Sequence, residues 1–317
     1  MADDQVETRP RVVILAGPTG VGKSKLAIEL AETFGGEILN ADSMQVYRYM
    51  DIGTAKPTLE ERRGIPHHLL DLVTPDQPFH AELYRRLGRK VIDDLHRKGT
   101  PIFVVGGTGL YLRALTQGLF ASPKTDPLLR ERLRQEAMEK GRATLYQRLQ
   151  VVDPEAASQI HPNDLIRTVR ALEVYETTGI PISWYWKQHR FGDRPYKTLK
   201  IGLWMERKEL YRRIEQRVDR MIALGLLEEV EGLLKRGYGP ELKPMKGLGY
   251  KQMVQFLLKE LTWEEAVDQM KRETRHYARR QWTWFGHDPE MVWRDASAEG
   301  KRIFEEVKAF LREGERP

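Results

Sequence analysis

Cysteine is absent from this chain of 317 residues. Its absence excludes disulfide bonds, cysteine-ligated zinc sites and thiol nucleophiles, and it makes the cytoplasm the simplest expected compartment. Long apolar runs are missing as well, because none approaches the about 18 residues that a membrane-spanning helix needs. The sequence therefore predicts a cytoplasmic protein without a membrane partner.

A large excess of charge is also lacking. The chain has 52 Lys and Arg residues against 46 Asp and Glu residues, a formal net charge of +6. The distribution is more informative, since basic residues crowd positions 271–280 and Trp282, Trp284 and Phe285 follow at once. Basic groups beside flat aromatic rings suit an RNA backbone and unstacked bases. A charged surface helix whose aromatic residues enter the core fits the composition equally well.

The clearest positive signal is a glycine-rich segment that follows an apolar run at 12–16 and precedes a helical pattern. This is a P-loop between a strand and a helix. Its backbone N–H groups and the helix N-terminus can cradle a diphosphate, while its lysine reaches the oxygens and its serine hydroxyl can bind Mg²⁺. The predicted diphosphate-binding residues are Gly17, Pro18, Thr19, Gly20, Val21, Gly22, Lys23 and Ser24, of which Ser24 is also the predicted metal ligand.

Strand-like and helix-like patterns alternate over the first hundred or so residues, which is typical of a parallel α/β sheet. We expect an α/β fold with a P-loop NTPase-like parallel sheet, helices on both of its faces and an all-helical insertion. The pattern predicts strands at 12–16, 37–39, 101–105 and 197–205, a short apolar stretch at 68–70, and core helices at 25–33, 79–98, 208–235, 263–285 and 301–311.

The expected insertion lies where strand patterns stop and only helical patterns continue, with helices at 126–140, 143–151, 154–160 and 164–178. The predicted organisation is therefore a first part of the P-loop core at 1–117, a helical insertion at 118–196, and a return to the core with C-terminal helices at 197–317.

An acidic residue at the end of the strand at 101–105 is missing too, since the strand runs into Gly106, Gly107 and Thr108. P-loop kinases usually place a magnesium-binding carboxylate near such a position, so its absence weakens a phosphotransfer interpretation. The glycines allow something bulky to approach the backbone. The nearest candidate carboxylate is Asp42, which is either a turn cap or a general base beside the bound diphosphate. Gln45 is suited to pairing with an adenine edge.

Several segments beyond the P-loop are distinctive in combination. They are Asp42 to Tyr47, Pro66 to Asp71, Gly106 to Tyr111, His161 to Asp164, Arg170 to Val174, Gly247 to Gln252 and Thr274 to Phe285. Together with the P-loop they resemble the motifs of the bacterial tRNA isopentenyltransferase family, and the resemblance covers roughly residues 11 to 286.

This resemblance implies transfer of a dimethylallyl group from dimethylallyl diphosphate to the N6 amine of the adenosine just 3′ of the anticodon, in tRNAs that read codons beginning with U. The P-loop then holds a leaving group, and Mg²⁺ is required. By resemblance, Asp42 is the base on N6, while Thr108 and Arg217 assist the diphosphate and the reacting centre. These three are the predicted catalytic residues.

The resemblance also implies tRNA contacts, with the insertion embracing the anticodon stem. Gly286 replaces an Arg that is common in the family, which leaves the last contact open. We expect a monomer. The predicted tRNA-binding residues are Asp42, Ser43, Met44, Gln45, Ile166, Arg167, Thr168, Val169, Arg170, Lys246, Gly247, Leu248, Gly249, Tyr250, Lys251, Arg279, Arg280, Gln281, Trp282, Thr283 and Trp284.

Three other functions compete with this interpretation. A P-loop kinase predicts ATP consumption and an acidic magnesium ligand. A free-nucleotide isopentenyltransferase resembles the first 110 residues equally well, but it has little use for the basic, aromatic helix near residue 280. An RNA-binding protein without catalytic activity leaves the P-loop and Asp42 unexplained.

Overall fold

The computed structural model describes residues 9–120, 126–189 and 192–313. The chain divides into two compact units. One, the core unit, is formed by the chain up to Thr116 and from Arg194 onward, and the other, the helical unit, is Gln117–Asp193. The parts of the predicted domains that fall on residues 1–8, 121–125, 190–191 and 314–317 lie outside the described residues.

The core unit is organised around one parallel sheet. Its described strands are β1 (Arg11–Ala16), β2 (Glu37–Asn40), β3 (His67–His68), β4 (Ile102–Val105), β5 (Lys197–Trp204) and β6 (Met291–Asp295). Their order is β3-β2-β4-β1-β5-β6, and each adjacent pair is parallel. β4 is buried throughout and β1 almost throughout, as expected for central strands covered on both faces.

Helices cover both faces of this sheet and make up the helical unit. In chain order they are α1 (Lys23–Phe34), α2 (Ala81–Arg97), α3 (Gly109–Gln117), α4 (Pro127–Lys140), α5 (Arg142–Val152), α6 (Pro154–Gln159), α7 (Leu165–Thr178), α8 (Ile182–His189), α9 (Arg207–Ala223), α10 (Leu226–Lys235), α11 (Tyr250–Leu257), α12 (Trp263–Gly286) and α13 (Gly300–Arg312), with a 3₁₀ turn at Pro244–Lys246.

Alternate residues of β1 enter two separate hydrophobic clusters. Val12 and Ile14 pack on one side of the sheet and Val13 and Leu15 on the other. Because successive side chains of a strand point to opposite faces, both faces must be covered by helices. The expected α/β architecture is therefore confirmed.

The structure corrects the sequence-based elements at several places. The apolar stretch at 68–70 contributes only His68 to a strand, β3. The elements β6, α3 and α11 were not predicted. The prediction of a single helix at 208–235 is wrong. The segment forms two helices separated at Gly225, whose φ of 95° lies in the left-handed region.

β6 is fixed to its neighbour by a buried ammonium group. Lys200 of β5 is only 4% exposed, and its Nζ lies 2.8 Å from Asp288 Oδ2 and 2.7 Å from Glu290 Oε2. A buried charge requires partners of opposite sign, so the segment that leads into β6 must stay beside β5.

The helical unit has its own hydrophobic core, which includes Leu133, Leu145, Leu149 and Leu172. At its centre, the carboxylate of Glu173 is fully buried. Burial opposes its ionisation, but hydrogen bonds from Arg170, Arg130 and the backbone N–H of Asp126 lower its pKa.

Across the described ranges, no helix combines the length and the apolar character needed to span a bilayer.

Candidate functional site

A crevice of about 640 Å³ opens where β1, β2 and β4 end. The volume lies within the usual range for ligand pockets in proteins. The P-loop, the turn that begins at Asp42, the Gly106–Gly107 backbone and the α9 residue Arg217 all line it. Parallel sheets bind ligands at the carboxyl ends of their strands, so this crevice is the expected ligand site of the fold.

The P-loop closes one end of the crevice. Gly17 has a φ of 138°, and a Cβ atom there would lie 2.5 Å from the Leu203 carbonyl oxygen, so a side chain has neither the backbone conformation nor the space. The Lys23 ammonium donates hydrogen bonds to the carbonyl oxygens of Gly17 (3.0 Å) and Pro18 (2.9 Å). Ser24 is exposed in the first turn of α1.

Three charged groups interact across the crevice. Burial and the positive charge of Arg217 lower the pKa of Lys23 to about 7, against a smaller opposing effect of Asp42. Burial also lowers the pKa of Arg217, and Asp42 again acts in the opposite direction. These two cations repel each other at the end of one crevice. A bound anion relieves that repulsion, so the site favours anion binding.

The Asp42 side chain caps a turn with one carboxylate oxygen and leaves the other available. Its Oδ1 accepts hydrogen bonds from the backbone N–H groups of Met44 (2.8 Å) and Gln45 (3.3 Å). Within the described ranges, Oδ2 has no hydrogen-bond partner. The two interpretations of Asp42 are therefore compatible, because the cap orients the carboxylate and leaves Oδ2 able to accept a proton.

The Gln45 amide is oriented by its own loop. Its Nε2 donates to the carbonyl oxygens of Thr54 and Ala55, each at 3.2 Å. Both N–H groups are thus in use, and a two-point pairing with an adenine edge is not open to this side chain in this conformation. What Gln45 offers the crevice is the acceptor Oε1, for which the described residues supply no partner.

Other residues of the protein pack closely against the glycine-rich loop after β4. The sequence had suggested that something bulky could approach the backbone there. A Cβ atom at Gly106 would lie 2.2 Å from the Ala41 carbonyl oxygen. Thr108 donates its backbone N–H to the same oxygen (3.2 Å), and its Oγ1 accepts from the Ser43 N–H (3.0 Å). Thr108 therefore positions the turn that carries Asp42.

Sequence reasoning missed the carboxylate that holds the loop next to Thr54 and Ala55, whose carbonyl groups bind the Gln45 amide. Glu229 of α10 accepts hydrogen bonds from the backbone N–H groups of Asp51 (2.9 Å), Ile52 (2.7 Å) and Gly53 (3.1 Å). The buried Tyr250 hydroxyl donates to it at 2.6 Å. Glu229 lies in an ordinary amphipathic helix, so nothing in its local sequence marks it.

Lys56 closes the same loop from within. Its side chain is 3% exposed, and Nζ lies 2.6 Å from both Asp51 Oδ1 and Asp71 Oδ1 and 2.8 Å from the Tyr47 carbonyl oxygen. The segment between Gln45 and Lys56 is thus held by the polar contacts of one buried ammonium group.

The predicted RNA residues at 246–251 differ widely in exposure. Lys246 and Lys251 are exposed, whereas Tyr250 is fully buried against Gly53. A direct contact between the Tyr250 side chain and RNA is therefore not supported in this conformation. Its hydroxyl acts inside the protein, through Glu229.

α12 presents most of its predicted RNA residues to solvent. Arg279, Arg280, Trp282, Thr283 and Trp284 are exposed, and Trp282 is 42% exposed although its ring packs 4.8 Å from that of Trp293.

Gln281 is the exception on α12, at 5% exposure. It accepts a hydrogen bond from the Thr19 N–H at 2.8 Å and donates one to the Gly107 carbonyl oxygen at 2.9 Å. Its amide is therefore engaged inside the core unit.

The segment 166–170 of the helical unit also divides. Ile166 is 81% exposed and Arg167 is exposed, but Thr168 and Val169 are buried in the core of the unit. Arg170 is paired with Glu173. Only the exposed members have side chains available to a partner in this conformation.

The described residues contain no cluster of three or more His, Asp or Glu side chains that could hold a metal ion alone. Mg²⁺ is often bound through one or two protein oxygens together with substrate phosphates and water. The Ser24 hydroxyl, exposed beside the P-loop and lining the crevice, is a hard oxygen donor of that kind. The residues therefore fit a magnesium ion that arrives with a diphosphate.

Comparison with known proteins agrees with this geometry. The family model described as IPP transferase matches residues 45–288. The chain is 53% identical to a tRNA dimethylallyltransferase of Desulfosudis oleivorans over 97% of this chain and 98% of that protein. It is 55% identical to tRNA dimethylallyltransferase 2 of Geotalea uraniireducens over 90% of this chain and 93% of that protein.

Solved structures extend the agreement to the fold. The full-length tRNA isopentenylpyrophosphate transferase of Bacillus halodurans superposes with a TM-score of 0.72 at 38% identity, covering 96% of this chain and 97% of that one. A eukaryotic dimethylallyltransferase acting on tRNA superposes with a TM-score of 0.81 at 31% identity, covering 97% and 80%. The chain belongs to the IPP transferase family.

Proposed function

We propose that this protein transfers the dimethylallyl group of dimethylallyl diphosphate to N6 of the adenosine adjacent to the anticodon on its 3′ side, position 37. The substrates are tRNAs that read codons beginning with U, and the products are N6-(dimethylallyl)adenosine and diphosphate. One observation carries the proposal. The P-loop with Lys23, the Arg217 cation that interacts with it, and the Asp42 carboxylate with its available Oδ2 all line the same crevice.

The diphosphate end is suited to a leaving group. Charge builds up on the departing diphosphate as the carbon–oxygen bond breaks, and Lys23, Arg217 and the P-loop N–H groups are positioned to stabilise it. Binding of the anion relieves the repulsion between the two cations and returns Lys23 to its charged form. If Mg²⁺ binds with the diphosphate through Ser24, it supplies further charge neutralisation there.

The other end is suited to an amine nucleophile. The N6 amine has two N–H groups, and the crevice offers two free acceptors, Asp42 Oδ2 and Gln45 Oε1. We propose that Gln45 holds one hydrogen while Asp42 takes the other. As the bond from N6 to the first carbon of the dimethylallyl group forms, the carbon–oxygen bond to diphosphate breaks and the N6 proton moves to Asp42 Oδ2.

The adenosine must leave the anticodon stack to reach this crevice, at a cost of a few kcal/mol. We propose that exposed basic and aromatic side chains offset that cost by binding the anticodon stem-loop, on α12 (Arg279, Arg280, Trp282, Trp284), at Lys246 and Lys251, and on the helical unit (Ile166, Arg167). With tRNA as substrate, the protein acts in the cytoplasm, and we propose that it does so as a monomer.

The decisive experiment incubates the purified protein with Mg²⁺, radiolabelled dimethylallyl diphosphate and unmodified tRNA-Phe transcript, with AMP and ATP in parallel reactions. Nuclease digestion and nucleoside analysis then locate the label. We expect label on N6 of the adenosine beside the anticodon, and its loss when EDTA is added. Label on AMP alone would identify a free-nucleotide isopentenyltransferase. ATP turnover without any label would identify a kinase.

A further inference from the structure

One face of α12 lies along the glycine-rich loop that follows β4. Tyr277, Gln281 and Trp284 are spaced at i, i+4 and i+7, so they share that face. Burial raises the pKa of the Tyr277 hydroxyl, and the nearby Thr108 side chain has a smaller opposing effect. A Cβ atom at Gly109 would lie 2.0 Å from Trp284 Nε1, which shows how closely the helix approaches.

Among the described residues, Gln281 is the only one of the three whose side chain is hydrogen-bonded to the P-loop. Its Oε1 accepts from the Thr19 N–H and its Nε2 donates to the Gly107 carbonyl oxygen, at 2.8 and 2.9 Å. We call these two hydrogen bonds the Gln281 clamp. The clamp joins the loop after β1 to the loop after β4, two loops that flank the bound diphosphate if the proposed function is right.

The surroundings of the clamp leave little freedom. Gln281 is 95% buried, and a Cβ atom at Gly107 would lie 2.0 Å from its Nε2, so Gly107 provides the space that the amide occupies. The amide cannot leave without exposing two backbone groups in a closed environment, which is unfavourable. The clamp therefore fixes the separation of the two loops.

We infer that Gln281 is a positioning residue for the P-loop and not a contact to RNA. The family resemblance implied an RNA contact at this position. Gln281 acts through Thr19 and Gly107 and does not itself touch the reacting atoms. This inference rests on the proposed function, because it assigns Gln281 to the diphosphate half of that reaction.

The test measures two affinities separately by calorimetry, those of inorganic pyrophosphate with Mg²⁺ and of unmodified tRNA-Phe transcript. The variant is Gln281→Met, which keeps the length of the side chain and removes both hydrogen bonds. The matched control is Gln216→Met, at an exposed position of α9. We expect Gln281→Met to weaken pyrophosphate binding about 10- to 100-fold, as the loss of two hydrogen bonds implies. Its tRNA affinity should stay within about twofold of the control.

A double-substitution cycle with Gly107 provides the second readout. Gly107→Ala places a methyl group against the Gln281 amide, whereas Gln281→Ala removes that amide and leaves room for it. We expect Gly107→Ala to weaken pyrophosphate binding in the natural background and to have little further effect in Gln281→Ala. Urea unfolding of each variant checks that the dependence does not come from a loss of folding.

The outcomes separate the inference from the proposed function. If Gln281→Met lowers tRNA affinity and leaves pyrophosphate binding unchanged, Gln281 is an RNA contact and the inference is overturned. Additive effects in the cycle overturn it as well. Failure of the natural protein to transfer label from dimethylallyl diphosphate to tRNA overturns the proposed function instead.

Discussion

The two ends of the crevice are built in different ways. The diphosphate end comes largely from one stretch of chain, Gly17 to Ser24, between a strand and a helix. The acceptor end, around Asp42 and Gln45, is held by Thr108 from the loop after β4. Glu229 of α10 also holds it, through residues 51–53. A local loop can be recognised from its residues, whereas an assembled turn depends on contacts that form only after the chain has folded.

The largest expected effect breaks the acceptor end alone. Asp42→Ala removes the proposed acceptor of the N6 proton, so we expect the single-turnover rate of transfer to tRNA to fall about 10³-fold. Pyrophosphate binding should not weaken, because no cation is lost. The control is Asp76→Ala at an exposed position. A rate within a few-fold of the control would exclude Asp42 as the base.

The next effect breaks the diphosphate end. Arg217→Gln removes one of the two interacting cations, and we expect the transfer rate to fall about 10²- to 10³-fold. Pyrophosphate affinity should fall with it, unlike in Asp42→Ala. Arg220→Gln is the matched control on the same helix, since its side chain is 73% exposed. Equal losses of transfer rate and pyrophosphate affinity in the two variants would mean that Arg217 acts only through the overall positive charge of α9.

A smaller effect tests whether distant contacts position the acceptor end. Glu229→Gln weakens the acceptor for three backbone N–H groups and the Tyr250 hydroxyl, so we expect the unfolding free energy to fall by about 1–3 kcal/mol. The transfer rate should fall about tenfold, with pyrophosphate affinity preserved. Glu231→Gln, which changes a partly exposed i,i+4 pair with Lys235, is the control. Loss of pyrophosphate affinity would show that the two ends are not built separately.

The last prediction concerns the ionisation of Lys23 in the free protein. Its pKa is lowered from 10.5 to about 7 by burial and by Arg217, so above pH 7 the folded protein releases this proton while the unfolded chain keeps it. The unfolding free energy, relative to Lys23→Met, should therefore rise with pH between about 7 and 10, by at most about 1.4 kcal/mol per pH unit. Urea unfolding at pH 7, 8 and 9 measures it. A difference that stays constant across this range would mean that Lys23 is not desolvated.

The sequence was sufficient for the features that depend on neighbouring residues. The P-loop, the central strands and the basic, aromatic helix α12 follow from local patterns. The roles of Glu229 and Lys56 did not, because each side chain acts on backbone groups or carboxylates that lie elsewhere along the chain. β6 was missed because its five residues are all only half-buried, and its position depends on Lys200. Gly225 inside an otherwise continuous helical pattern was the one local sign of the break between α9 and α10.

The pairing of β1 with β5 has a consequence for how the protein is made. β1 carries the P-loop at its end, yet its β5 partner emerges only after the whole helical unit has been translated. At about 5–20 residues per second, the delay is roughly 10 to 40 s. During that time one edge of the strand has no partner, so the nascent chain must keep the unpaired backbone groups of this edge from pairing wrongly. Synonymous changes that slow the ribosome between residues 117 and 193 would lengthen this exposure without altering any residue of the finished protein.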